Sequence, residues 1–148
     1  MSAIRITKSF TFDMAHALEG YNGLCKNIHG HTYVLHVTVL GKPIDENSNP
    51  ENGLVMDFGD LKKIVKKGVL DTFDHALVIK EGSSILKSLN LSENERLITT
   101  SFQPSCENLL IHYVGIIQSL LPQQVKLVAV RLNETPTSYA EWLLEDQL

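Results

Sequence analysis

Cys25 stands four residues before the triplet His29-Gly30-His31, at the mouth of an alternating apolar run. In a strand successive side chains point to opposite faces, so residues two apart share one. His29 and His31 therefore project together, roughly 6.5 to 7 Å apart along the backbone. Two imidazoles so placed can converge on one ion, each bond being about 2.0–2.1 Å if the ion is zinc. Gly30 leaves the opposite face bare, where backbone or a ligand can come close. A third donor comes from upstream. Ile4, Ile6, Phe10, Phe12 and Met14 alternate with other residues, broken only at Lys8, and His16 falls on the same parity at the inward-facing end of that strand. Three neutral nitrogens with a fourth position open is the composition of a catalytic zinc site, whereas structural sites are closed by four protein ligands, usually with sulfur. Three ordinary histidines are the plain alternative. Imidazole also suits iron, nickel and copper; zinc is preferred because it is redox-silent.

Cys25 belongs to a loop, Glu19 to Asn27, marked by Gly20, Asn22, Gly23 and Asn27. Two roles are open to its sulfur: fourth metal ligand, or a base and nucleophile beside the metal. A free thiol titrates near about 8.5, and a neighbouring dication or imidazolium moves it towards neutrality. Asp74-His75 has the form of a carboxylate orienting an imidazole for proton transfer near neutral pH. Adjacent strand residues point apart, so the pair can cooperate only if the backbone turns there. Glu107 falls in the first turn of a predicted helix, where a carboxylate complements the macrodipole. Glu134 continues the apolar parity of Val128, Val130 and Leu132 to a strand end, and an unpaired buried carboxylate is costly. Cys106 and His112 read as structural, and His36 as a surface or inter-strand histidine.

These groups need elements to hold them. A strand ends at His16, and a second begins near His29 with Tyr33, Leu35, Val37 and Val39 on the histidine face. The run Gly53 to Phe58 predicts a third strand, pairing across the polar loop Asp45 to Asn52. Asp57 caps a helix with Phe58, Leu61, Ile64, Val65 and Val69 as its apolar stripe, ending near Asp71–Thr72. A short helix around Ile85, Leu86 and Leu89 and a short strand within Arg96 to Phe102 follow. Ser105 caps a second long helix, stopped by Pro122. Strands at Val125 to Leu132 and Ser138 to Leu143 close the chain. Strands with helices grouped on one face make an α+β layout.

With 148 residues, 43% hydrophobic and 20% charged, the chain can form one compact domain, 1–148, with a real core. Thirteen Lys+Arg against seventeen Asp+Glu leave a net charge of −4 and no basic field for nucleic acid. The longest basic run, Lys62-Lys63 with Lys66-Lys67, has helical spacing and makes a solvated face. No apolar run approaches a membrane span and no signal-like segment stands at the start. The expectation is a cytoplasmic protein with Cys25 and Cys106 reduced.

On these residues the chain resembles the 6-pyruvoyl-tetrahydropterin synthase / 6-carboxy-5,6,7,8-tetrahydropterin synthase family. The segments that carry the likeness are FDMAHAL around His16, C-x-x-x-H-G-H-x-Y from Cys25 to Tyr33, GLVMDFGDLK at 53–62, FDHALVI at 73–79, PSCENL at 104–109 and the glutamate that closes VRLNE, Glu134. They occur in family order across most of the chain. The resemblance implies a tunnelling fold (T-fold), an antiparallel four-stranded sheet with two helices on one face, whose subunits form barrels, commonly hexamers of two trimers. It implies zinc held by His16, His29 and His31, and Cys25 as the proton-abstracting thiolate. Asp74 and His75 are implied as its relay partners, brought in from a neighbouring subunit, and Glu107 and Glu134 as pterin-binding groups. The implied substrate is 7,8-dihydroneopterin triphosphate.

The three-residue gap between Cys25 and His29 is similar to that of the bacterial carboxy-tetrahydropterin enzymes of queuosine biosynthesis. The pyruvoyl synthases of biopterin synthesis have a longer gap and are the runner-up. A non-enzymatic metal-binding module is the rival from another class. Two features depart from the pattern: the segment Lys80 to Phe102 is longer than in short members, and Ser105 stands where threonine is frequent.

Overall fold

The computed structural model describes residues 2–89, 93 and 96–148. Its long strands are β1 (Ile4–His16) and β2 (His29–Gly41), antiparallel over their full lengths with His16 directly opposite His29. The parity expected of β1 holds from Ile6 onward, while Ile4 at the strand's start is exposed. Phe10, Phe12, Met14 and His16 are buried, while Thr7, Ser9, Thr11 and Asp13 are exposed. Lys8, the one break in the pattern, is half-buried opposite Val37.

Helix α1 (Phe58–Val65) begins where Asp57 accepts a hydrogen bond from the Gly59 amide, the expected cap. It runs on through a π-helical turn (Lys66–Leu70) into α2 (Asp71–Phe73). Strand β3 (Ala76–Lys80), helix α3 (Ser84–Ser88) and strand β4 (Leu97–Thr100) follow. Helix α4 (Cys106–Leu120) is capped by Ser105, which accepts from the Asn108 amide at 3.2 Å. Strands β5 (Lys126–Thr135) and β6 (Ser138–Leu143) complete the chain.

The α+β layout is present, with a sheet of six strands rather than four, ordered β4-β3-β1-β2-β5-β6. It is mixed. β3 pairs with β1 in parallel and β4 with β3 in parallel, while the other neighbours are antiparallel. The helical segment 58–73 supplies the crossover that a parallel β1–β3 pair requires.

Two sequence expectations are corrected. Gly53 to Phe58 forms no strand: Gly53 is left-handed (φ +88°), and Val55 and Met56 are both buried, so nothing alternates. The segment turns against Ile44, whose amide donates to the Leu54 carbonyl (3.0 Å) and whose carbonyl accepts from the Gly53 amide (2.8 Å). In β5 the register slips opposite Thr38/Val39, so Leu127 rather than Val128 is buried beside Val130 and Leu132. That extra residue is a β-bulge, which breaks simple parity.

One core fills the space between sheet and helices. Phe12, Tyr33, Leu35 and Leu132 meet Leu61, Val65 and Phe73 from the first helical segment and Leu109, Tyr113 and Ile117 from α4. Each fully buried large apolar side chain contributes about 1.5–3 kcal/mol. Gly68 lets the π-turn lie against α4, since a Cβ there would stand 2.8 Å from Ile116 and 2.9 Å from Leu120. Burial therefore anchors β1, β2, β5 and α4, the elements whose ends carry the chemical groups.

Candidate metal centre and active site

At the paired ends of β1 and β2 the three imidazoles come together. The ligand atoms of His16, His29 and His31 all lie within 4.8 Å of one another. His16 is 1% exposed and its Nδ1–H donates to the Pro104 carbonyl at 2.6 Å. His29 Nδ1–H donates to the Asn27 carbonyl at 2.7 Å. A carbonyl can only accept, so both rings carry their proton on Nδ1 and turn an Nε2 lone pair inward.

Those two Nε2 atoms lie 3.1 Å apart. Two lone pairs at that distance repel unless a cation or a shared proton lies between them. Bonds of about 2.05 Å in a tetrahedral shell set neighbouring donors about 3.3 Å apart, close to what is found. His31 Nε2 is buried with no hydrogen-bond partner among the described residues, which a metal bond would remedy. Burial holds the His16 imidazole below its ordinary pKa, against the opposing pull of the Pro104 carbonyl and Glu134, and so favours the neutral form a metal ligand needs. The donor set fits a zinc ion. Tyr33 packs edge-on behind His16 and His31, with ring centroids 6.3 and 5.7 Å away, and fixes their positions.

Beside the cluster opens a cavity of about 500 Å³, lined by His16, Cys25, Ser105, Glu107, Glu134 and Tyr139 among others. That is the size of a small-molecule site. Cys25 sits half-buried in a single 3-10 turn, Leu24–Lys26, and its sulfur is not a member of the metal-binding group. Glu134 reaches the cavity through a second bulge: the β5–β6 register shifts between Asn133 and Thr135, which leaves Glu134 without a partner on β6. Its carboxylate oxygens stand 3.9 Å from His16 Nε2 and 3.7 Å from His31 Nε2. Glu107 enters from the first turn of α4. Cys106, on the same turn, donates its S–H to the Leu132 carbonyl, and burial with the nearby Glu134 charge pushes its thiol up to about 11.

Asp74 and His75 lie elsewhere. The backbone does turn there, since His75 takes a left-handed conformation (φ 62°) that is uncommon for a residue with a Cβ. The turn lets Asp74 Oδ1 accept from His75 Nδ1–H at 2.9 Å and from the Asp13 amide at 3.1 Å. The pair is well exposed, 75% for the His75 side chain and 39% for Asp74. His75 lines a separate hollow with Asp13, Gly30, His31 and Thr32, apart from the cavity lined by Cys25. Within one chain the structure gathers the three histidines, Cys25, Glu107 and Glu134, and leaves the Asp74–His75 pair apart.

Sequence reasoning missed three supporting groups. Arg96 donates to the carbonyls of Asp71, Thr72 and Asp74, satisfying the open end of the helix that leads to the pair. Pro104 orients His16 through its carbonyl, and Asn27 does the same for His29. Backbone carbonyls leave no signal in residue type; Pro104 enters the sequence reading only as the first residue of PSCENL.

The profile described as 6-pyruvoyl tetrahydropterin synthase matches residues 5–144. The chain belongs to that family. A Haemophilus influenzae relative described as 6-carboxy-5,6,7,8-tetrahydropterin synthase is 37% identical over 141 residues, covering 93% of this chain and 97% of the relative. One from Rickettsia bellii with the same description is 31% identical, over 93% of this chain and 99% of its own. Among solved structures, the 6-pyruvoyl tetrahydropterin synthase of Caenorhabditis elegans superposes with a TM-score of 0.67 at 25% identity, covering 97% of this chain and 96% of that one. A Wolinella succinogenes protein superposes with a TM-score of 0.80 at 18% identity, over 97% and 99%, a likeness of fold alone. The tunnelling-fold architecture expected from the sequence is thus the one adopted.

Proposed function

We propose that this pterin synthase family member is a zinc-dependent 6-carboxy-5,6,7,8-tetrahydropterin synthase of queuosine biosynthesis. Its substrate on this reading is 7,8-dihydroneopterin triphosphate. With one water consumed, the products are 6-carboxytetrahydropterin, acetaldehyde and triphosphate. One observation carries the reading: three histidines whose ligand atoms lie within 4.8 Å of one another meet, through His16, a cavity that also holds a half-buried thiol and two carboxylates. The printed descriptions of the 37% and 31% identical relatives support the carboxy branch.

His16, His29 and His31 hold the metal. Zinc, when bound, supplies Lewis acidity at the substrate's side-chain hydroxyls, making the adjacent C–H more acidic. Cys25 takes that proton as a thiolate, and the proton is returned to the pterin ring. Glu107 and Glu134 accept hydrogen bonds from the ring N–H and exocyclic amine, pairs of parallel donors that a carboxylate matches bidentately. They fix the ring so that the side chain meets the sulfur, and this preorganisation is the main contribution of the fold. The C–O bond to triphosphate then breaks, and water adds to the first side-chain carbon, so that its bond to the second breaks, the first carbon leaving as the carboxylate and the second taking up a proton to give acetaldehyde.

Asp74 and His75 complete the relay from a neighbouring subunit. Their exposure and their distance from the Cys25 cavity support this, as do the two open sheet edges, β4 and β6, whose unpaired backbone groups suit strand addition. The reading carries with it a homohexamer of two trimers, acting in the cytoplasm. No described helix is long and apolar enough to cross a membrane.

The test is to incubate the zinc-loaded protein with 7,8-dihydroneopterin triphosphate and assay acetaldehyde and triphosphate together. Equal amounts of both are expected. Triphosphate without acetaldehyde points to a 6-pyruvoyl-tetrahydropterin synthase, and neither product with metal bound points to a metal-binding module.

A further inference from the structure

The loop that carries Cys25 has no anchor of its own. From Leu18 to Ile28 no residue is buried, and Tyr21 and Leu24 are 51% and 87% exposed. A loop that must present a base to within hydrogen-bond reach of a carbon-bound proton cannot be left to wander, since small misplacements cost large factors in rate. Its position has to come from polar ties; His29 holds its far end through the Asn27 carbonyl, and two more ties hold its start.

The Gln103 carboxamide holds both backbone groups of Glu19. Its Nε2–H donates to the Glu19 carbonyl at 2.8 Å, and its Oε1 accepts from the Glu19 amide at 3.1 Å. The Glu19 carboxylate in turn accepts from the Ser83 hydroxyl at 2.6 Å, the Ser84 hydroxyl at 3.1 Å and the Ser84 amide at 3.4 Å. The adjacent Leu18 amide donates to the Cys25 carbonyl at 2.9 Å, so what fixes residues 18 and 19 fixes the backbone of Cys25. Leu18, Cys25 and Gln103 line the same cavity as Glu107 and Glu134. The next residue, Pro104, orients His16, so one strand-to-helix connection sets the metal ligand and the cysteine loop together.

We infer that Gln103 and Glu19 are positioning residues for Cys25, forming a latch by which the start of α3 and the connection from β4 to α4 hold the cysteine loop at the reaction site. The start of α3 presents Ser83 and Ser84, and the turn after β4 delivers Gln103. The inference rests on the proposed role of Cys25 as the base.

The test compares wild type with Gln103→Ala, Glu19→Gln and Cys25→Ala, each loaded with zinc. In Gln103→Ala the pterin clamp and the metal ligands are intact, so kcat falls roughly ten- to a hundredfold with KM and zinc content little changed. The rate at which iodoacetamide alkylates Cys25 changes in step, a readout that does not depend on turnover. Glu19→Gln keeps an acceptor for the serines but loses its charge, and shows the same changes at smaller size. If Gln103→Ala does not fold, Glu19→Gln decides. Unaltered kcat and alkylation rate in a folded latch variant overturn the inference, as does a loss confined to KM or to metal content. If Cys25→Ala itself keeps turnover, what fails is the proposed function, and the two failures are told apart.

Discussion

Exchanging Glu134 for glutamine probes the pterin clamp without altering its shape. Glu134 sits on a bulge with its carboxylate 3.7 and 3.9 Å from two imidazole nitrogens, beyond hydrogen-bond length, and no described residue donates to it. The carboxylate is therefore free to accept from a ligand. Glutamine replaces one accepting oxygen with an NH2 group that faces the donors of the pterin edge. The loss is one charge-assisted hydrogen bond, worth about 1.5–3 kcal/mol. At 1.4 kcal/mol per decade, binding weakens roughly ten- to 150-fold. The assay is KM for 7,8-dihydroneopterin triphosphate, with pterin binding followed by fluorescence and zinc measured on the same sample. An unchanged KM would falsify the clamp. Loss of zinc from Glu134→Gln would instead make the carboxylate a fourth ligand, which contradicts the open site.

Other outcomes follow from the same geometry. If the site is shared between subunits as proposed, Cys25→Ala and His75→Ala are each inactive alone, but unfolding and refolding them together restores turnover, since some sites then combine an intact thiol from one subunit with an intact pair from another; no recovery contradicts a shared site. Cys106, whose thiol is pushed up to about 11, stays protonated at neutral pH, so iodoacetamide labels Cys25 first and labelling of Cys106 rises only as pH climbs towards that value. Peptide mass spectrometry showing equal labelling at neutral pH would contradict this. Asp57→Ala removes the cap of α1 and destabilises the protein by about 1 kcal/mol, a drop of a few degrees in melting temperature with turnover retained.

What could be read from the sequence was what repeats with a fixed period. His16 was placed inward because Phe10, Phe12 and Met14 precede it on one parity, and that strand is regular to its end. Asp57 and Ser105 announced their helices through side chains that cap them. The apolar run at 53–58 misled because a covering segment and a strand can have the same composition; only Gly53, at φ +88°, marks the difference. The shift from Val128 to Leu127 came from a bulge, whose cause lies in the partner strand. The parallel pairing of β3 and β4 joins distant segments and has no local signature. The Asp74–His75 contact needed a left-handed residue that no glycine advertised. The Gln103 latch is a long-range contact between a loop and a helix connection, which no spacing rule reaches.

The measurement that bears most directly on the account is the zinc content of purified Cys25→Ala by atomic emission, alongside wild type. Three imidazoles suffice to hold the ion on the geometry found, so the variant should retain one zinc per chain while losing turnover. A variant stripped of metal would make the sulfur a ligand, and the base assigned to this site would no longer exist.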